Sequence, residues 1–312
     1  MKKGGGGGGG AYTLHGKLGA GGYGSVFLGR DRLGIRYAVK VLPKSRNPRE
    51  RVQNEVELMR SLSHSTRVPR LIEACEDAEA YYVVQEWCRG GTLRRYCTAG
   101  GHGDLYGENT VASIVRGVLR GLCHVHAAGV VHRDIKGANV AFADAGDDAE
   151  VRLIDFGAAV RCPLGAALVE SEELVGTPWF VSPEGLGHAF TFKSDVWSVG
   201  VLCYQLLSGR MPFDDRQDPA RPALRAVFRS IFNDEPRMEG GVVWDQVSDD
   251  AKDFVRRCLR KSHADRPTAE EALDHPWLRR TDCADRFTGT PLVVSPFDPE
   301  DRVSAMMRAR TM

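Results

Sequence analysis

The sequence predicts an α+β fold in two lobes: a small antiparallel β-sheet lobe with one key helix, then a larger, mainly helical lobe. Three observations carry that expectation. A glycine-rich stretch, Leu18-Gly19-Ala20-Gly21-Gly22-Tyr23-Gly24-Ser25-Val26, runs into β-type alternation over Ser25 to Leu28 and then a further strand over Arg36 to Val41, a strand–loop–strand setting. A single helical pattern separates these from two more strand-like runs. From Val111 onward the long periodic segments are helical. A chain of 312 residues fits one large domain or one domain in two lobes.

Taken in order, the glycines let backbone amides approach a phosphate with no Cβ in the way. Tyr37-Ala38-Val39-Lys40 places a lysine in an apolar strand. Asn47-Pro48 is a helix-start signal, with Asn as N-cap and Pro at the first helical position. Apolar residues follow at Val52, Val56, Met59 and Leu62, and Glu55 falls inside that inward stripe. A carboxylate there is costly unless paired, and Lys40 is its natural partner. Glu57 is the alternative, but it points to the polar face. Leu71 to Cys75 and Tyr81 to Gln85 read as two antiparallel strands. Val111 to His126 is a long amphipathic helix ending near Gly129. Asp195-Val196-Trp197-Ser198-Val199-Gly200-Val201 opens a continuous apolar helix, hence a buried one, with Asp195 as its N-cap by position.

Between those two helices lie His132-Arg133-Asp134-Ile135-Lys136-Gly137-Ala138-Asn139 and, after the apolar run Val151 to Ile154, Asp155-Phe156-Gly157. Phosphoryl transfer asks for a carboxylate facing the attacking hydroxyl, a cation on the transferring phosphate, and oxygen ligands for magnesium. Asp134, Lys136, and Asn139 with Asp155 supply these in order. The two motifs, with Gly19, Gly21, Gly24 and Val26 ahead of them, resemble the catalytic domain of protein kinases. The resemblance covers about residues 12–278, with an N-lobe over about 12–86 and a C-lobe over about 87–278. It is nearest in kind to the calcium/calmodulin-dependent and calcium-dependent protein kinases, on Tyr204 to Phe213 and Asp274-His275-Pro276-Trp277. Lys136-Gly137-Ala138-Asn139 looks more like the kinases of kinase cascades.

The resemblance implies a bilobal protein kinase fold and a serine/threonine kinase using ATP and Mg2+. In it, Asp134 is the catalytic base, Lys136 steadies the γ-phosphate, and Asn139 and Asp155 hold the metal. Lys40, paired with Glu55, reaches the α- and β-phosphates. The nucleotide would be lined by Leu18, Gly19, Ala20, Gly21, Gly22, Tyr23, Gly24, Ser25, Val26 and Ala38. Its adenine edge would meet the backbone of Glu86 and Cys88 in a hinge, with Gln85 guarding the rear of that pocket. His132 would be a packing residue rather than a base, and His126 structural. Asp195 would hydrogen-bond the catalytic-loop backbone, and Arg266 would pair with Glu184. Ser182 stands where the family usually has Ala. Lys136 with Thr177 favours Ser/Thr acceptors, whereas Thr92 and Ala138 argue against a strong demand for Arg upstream of the acceptor. Two other readings are a kinase-like scaffold without activity, disfavoured because every catalytic residue is present, and a dinucleotide-binding enzyme, disfavoured because no helix follows Gly24.

Composition narrows the partners. The formal net charge is +1, with 42% hydrophobic and 27% charged residues. That balance gives no reason to expect nucleic acid, and no apolar run approaches the eighteen or so residues of a membrane span. The partners expected are ATP and protein substrates. The eight cysteines show no paired or metal-ligand spacing, as expected for reduced thiols in the cytoplasm and also in the nucleus. No D-x-[DN]-x-[DN]-G calcium loop occurs in the sequence, so no calcium sensor is expected within this chain. Residues 1–11, with Gly4 to Gly10, read as a flexible tether or an artefact rather than a signal peptide. The tail, 279–312, reads as solvated, with Arg302 to Arg310 around Met306 and Met307 as a candidate docking helix. Arg133 wants an anion on the activation segment. Glu173 is the expected substitute for a phosphate there, with Ser171 as a competing phosphorylation site.

Overall fold

Five antiparallel strands form the first layer: β1 (Thr13–Ala20), β2 (Ser25–Arg30), β3 (Arg36–Pro43), β4 (Leu71–Glu76) and β5 (Ala80–Glu86), in the spatial order β1-β2-β3-β5-β4. This is a computed structural model, and it describes residues 12–94, 104–105, 107–145, 150–163, 165, 168–172, 174–214, 223–239, 242–279 and 292–293. The N-terminal glycine run, Glu173 and Arg302 to Arg310 lie outside the described residues.

The period of two in β3 sorts its side chains between faces. Val39 packs with Tyr12 and Val84 on one side, while Leu42 joins the main core on the other. Ala38 and Lys40 share the Leu42 face. Helix α1 (Arg49–Ser61) covers that face and buries Val52, Glu55, Val56, Leu58 and Met59, while Glu57 is exposed. The expected cap of α1 is corrected by the structure. Pro48 occupies the cap position with no side-chain bond. Asn47 is buried, and its amide donates to the carbonyls of Tyr23 (2.8 Å) and Pro43 (2.9 Å). A buried amide does best where both its protons find acceptors, and the neighbouring loops supply two.

The second layer is helical. α2 (Glu108–Ala127) and α3 (Phe192–Ser208) are buried along most of their lengths and pack on each other. Trp197 of α3 is fully buried and stacks on Phe213 at 5.3 Å. α4 (Leu224–Asn233) and α5 (Asp249–Cys258) complete this part of the core. Short strand pairs lie at its upper edge: β6 (Gly91–Thr92) with β7 (Val140–Phe142), and β7 with β8 (Val151–Leu153). Among the described residues no helix is long and apolar enough to cross a membrane.

A second cap differs from expectation. α3 starts at Phe192, and its cap is Thr191, which accepts from Lys193 N–H while Ser194 bonds back to the Thr191 N–H. Asp195 sits inside the first turn, where its carboxylate is free to bond elsewhere. Gly209, at φ 67°, ends the helix in the left-handed region that favours glycine. Thr191→Ala is expected to destabilise the protein by about 1 kcal/mol, read as a lower urea midpoint. An unchanged midpoint would mean that water replaces the cap.

Candidate active site

The loop over residues 132–139 is built on a strained turn. Arg133 and Asp155 are non-glycine residues at φ 66° and 64°, a conformation that persists only when the surroundings hold it. Asp195 does the holding at Arg133. Fully buried, it accepts the backbone N–H of His132 on Oδ2 (2.9 Å) and of Arg133 on Oδ1 (2.8 Å). His126 meets the same Oδ2 at 2.9 Å, so it belongs to the scaffold beneath the loop. His132 is fully buried, packs against the Phe156 ring at 5.0 Å and reaches the Ile154 carbonyl at 3.2 Å. Its other ring nitrogen, Nδ1, meets the Asp134 backbone N–H at 3.3 Å, so the buried ring is engaged at both nitrogens and packs rather than facing the site.

Above this scaffold the polar side chains converge on Asp134. Asn139 Nδ2 donates to both the Asp134 carbonyl and its Oδ2, each at 2.8 Å. Lys136 Nζ lies 3.0 Å from Oδ2. Thr177 Oγ donates to Oδ1 (2.9 Å) and accepts from Lys136 Nζ (2.7 Å). Thr177 stands after Gly176, whose φ of 100° brings the chain so close to the loop that a Cβ would fall 2.6 Å from the Arg133 carbonyl. After a 3-10 turn over Pro178–Phe180 comes a one-turn helix, Pro183–Leu186, capped by Ser182 Oγ accepting from Gly185 N–H. An alanine there would lose that bond, so the serine has a local function of its own.

The second cluster joins the two layers. Lys40 Nζ lies 2.6 Å from Glu55 Oε1 and 2.7 Å from Asp155 Oδ1. Burial alone would lower the Lys40 pKa, but the carboxylates of Asp155 and Glu55 outweigh it and hold the ammonium well above its usual range. For Glu55, burial wins over Lys40 and pushes the carboxyl up. For Asp155, burial is overcome by Lys40 and the carboxyl is held far down, so it stays ionised. Gly157 N–H also meets Asp155 Oδ1, at 3.3 Å. Asp155 keeps 43% of its side chain open. Its carboxylate and Asn139 offer two oxygen-bearing groups, and among the described residues no group of three or more His, Cys, Asp or Glu could hold a metal. That donor set suits Mg2+, which takes one or two protein oxygens and completes its shell with phosphates and water.

The glycine-rich loop joins β1 to β2. Gly21 N–H bonds to the Gly24 carbonyl at 2.9 Å, and a Cβ on Gly24 would fall 2.2 Å from the Val41 carbonyl. Leu18 and Tyr23 are each 45% exposed. Ala20, Ser25 and Val26 stand in the β1–β2 hairpin, with Ala20 opposite Ser25 and Gly19 opposite Val26. At the far side of β3, Ala38 faces Gln85 across the sheet. Glu86 closes β5, giving its N–H to the Arg70 carbonyl (2.9 Å) and its carboxylate to Arg152 (2.6 Å). Burial pushes the Cys88 thiol up to about 11, which disfavours its thiolate at neutral pH.

Sequence reasoning missed the reach of α1. Arg51 donates through Nε and Nη2 to the Gly157 carbonyl (3.2 and 3.1 Å), and Asn54 Nδ2 to that of Ala159 (3.1 Å). The available signal was spacing, since Arg51 precedes Glu55 by four residues and so shares its side of the helix. Arg133 finds the Ala158 carbonyl at 2.6 Å and the Phe190 ring at 5.2 Å.

The protein kinase domain family matches residues 12–278. The chain is 36% identical over 276 residues to CDPK-related kinase 3 of Arabidopsis thaliana, covering 86% of this chain and 44% of that protein. It is 34% identical over 291 residues to Calcium-dependent protein kinase 7 of Oryza sativa subsp. japonica, covering 91% and 51%. It is 35% identical over 249 residues to Calcium/calmodulin-dependent serine/threonine-protein kinase 1 of the same rice, covering 78% and 40%. The chain spans about half the length of the curated relatives it matches. With that match across the sheet, the helical layer and the Asp134 and Lys40 clusters between them, the chain belongs to the protein kinase domain family.

Proposed function

We propose that this chain is a Mg-ATP-dependent protein serine/threonine kinase domain, its N-lobe over about 12–86 and its C-lobe over about 87–278. The observation that carries the reading is the Asp134 carboxylate held within 3.0 Å of Lys136, Asn139 and Thr177 together. In this arrangement Asp134 accepts the proton of the attacking hydroxyl, and Lys136 neutralises charge on the phosphoryl group in flight. Lys40, locked between Glu55 and Asp155, orients the α- and β-phosphates. Backbone amides of residues 18–26 cover the phosphates, and Ala38, Glu86 and Cys88 frame the adenine. Asn139 and Asp155 would hold Mg2+, which supplies Lewis-acid neutralisation of phosphate charge when bound. Nearly all of this is positioning and electrostatics, as phosphoryl transfer requires.

The relatives' names speak of serine/threonine and calcium-dependent kinases. The contact of Lys136 with Thr177 at 2.7 Å supports Ser/Thr acceptors here. Purified protein given labelled ATP, Mg2+ and a mixed protein substrate is expected to yield phosphoserine and phosphothreonine on hydrolysis of the products. Folded protein that transfers no phosphate, or labels tyrosine alone, overturns the proposal.

A further inference from the structure

The glycine-rich loop has little beneath it. A Cβ added to Gly19, Gly21 or Gly22 would meet no atom within 4 Å, so the loop stands clear of the protein there. Its tip is nevertheless tied at two points, both through Tyr23. Asn47 donates to the Tyr23 carbonyl at 2.8 Å. The Arg51 guanidinium lies over the Tyr23 ring, 3.3 Å from its centroid. A guanidinium over an aromatic face is an attractive contact, and Tyr23 is 45% exposed, so core burial does not fix it.

The same guanidinium donates through two nitrogens to the Gly157 carbonyl. Gly157 in turn gives its N–H to Asp155 Oδ1. One side chain therefore spans the loop tip and the turn that carries Asp155. It stands one helical turn before Glu55, which holds Lys40 at 2.6 Å. Any outward movement of α1 that separates Glu55 from Lys40 also pulls Arg51 away from both the loop and the turn.

We propose that Arg51 is a positioning residue, a latch that holds the glycine-rich loop down over the nucleotide phosphates and registers it with the Asp155 turn. The proposal rests on the nucleotide-binding reading above and deepens it. Arg51 touches neither reacting atom. It acts through Tyr23 and Gly157, so that loop closure and the Lys40–Glu55 contact rise and fall together.

Hydrogen exchange of residues 19–26 in nucleotide-free protein, and the Kd of a fluorescent ADP with Mg2+, test it. Arg51→Met is expected to speed exchange in the loop and to weaken nucleotide binding about tenfold, or ~1.4 kcal/mol. Arg51→Lys, which keeps a cation near the ring but lacks the planar fork, is expected to fall between. Tyr23→Leu, which removes the ring contact but leaves Arg51 on the Gly157 carbonyl, is expected to weaken binding less, and the double variant to be no worse than Arg51→Met, which already lacks both contacts. Unchanged loop exchange in Arg51→Met, or additive losses in the double variant, overturn the latch. Should the wild type bind no nucleotide, the functional reading falls, while loop exchange in the nucleotide-free protein still decides the latch.

Discussion

Replacing Asp134 by asparagine is expected to slow phosphoryl transfer by about 10²–10⁴-fold, the range that a lost general base costs, with the fold intact. The geometry explains why the two effects separate. Asp134 Oδ2 receives Asn139 and Lys136, and Oδ1 receives Thr177. An asparagine keeps one oxygen for Asn139 and Lys136 and can turn its amide nitrogen to the Thr177 hydroxyl, which accepts as well as donates. The strained turn is held independently of this side chain, because Asp195 holds the backbone of His132 and Arg133. What disappears is the basic oxygen and the negative charge beside Lys136. Single-turnover transfer, nucleotide Kd and a thermal melt on the same preparation check each part. Transfer at the wild-type rate would remove Asp134 from the role of base.

How far such a site can be read from sequence depends on the distance over which its contacts act. Glu55 was legible because a carboxylate in an apolar stripe breaks a local pattern and demands a partner. The strand pair around Lys40 was legible from alternation. Position in a helical pattern makes both Asn47 and Asp195 look like helix caps, since a short polar side chain there is the ordinary signature of one. Asn47 instead bonds the Tyr23 and Pro43 carbonyls, and Asp195 bonds the backbone of His132 and Arg133, which only the family resemblance pointed to. Asp195 reaches back 62 and 63 residues and Asn47 reaches 24. A local pattern contains no information about such partners. Arg51 is the same case at 106 residues, on a face whose spacing to Glu55 was visible but whose target was not. Thr177 was read as a marker of acceptor type. Its bond to Asp134, 43 residues away, is legible only once the chain is folded.

The largest expected loss of stability lies below the site, at Arg266. Its guanidinium is fully buried and makes a two-pronged pair with Glu184, Nη1 to Oε1 at 2.7 Å and Nη2 to Oε2. It also donates to the carbonyls of Arg260 (2.7 Å), Lys193 (3.0 Å) and Lys261 (3.1 Å) and lies 5.2 Å from the Trp197 ring centroid. Arg266→Leu fills part of the volume but leaves a buried carboxylate with only the Ser194 hydroxyl and three carbonyls without their Arg266 donor. Breaking a buried pair on one side costs about 3–5 kcal/mol, and Glu184 lies in the short helix Pro183–Leu186 close after Thr177, so transfer activity should fall with stability. The pH dependence gives a sign as well as a size. Burial alone would raise the Glu184 carboxyl, but its bonds from Arg266 and Ser194 hold it below its ordinary 4.5. The unfolded chain therefore binds that proton more readily, and this part of the stability is complete above about 4.5 and lost as pH falls through the lower folded value. In Arg266→Leu the stabilising donor is gone and burial dominates, so the carboxyl shifts upward and protonation relieves the variant instead. The gap between wild type and variant in urea midpoint should thus be wide at pH 7 and narrow near pH 4. A gap that is small at neutral pH, or that fails to close on acidification, would show that the pair is not what holds this segment in place.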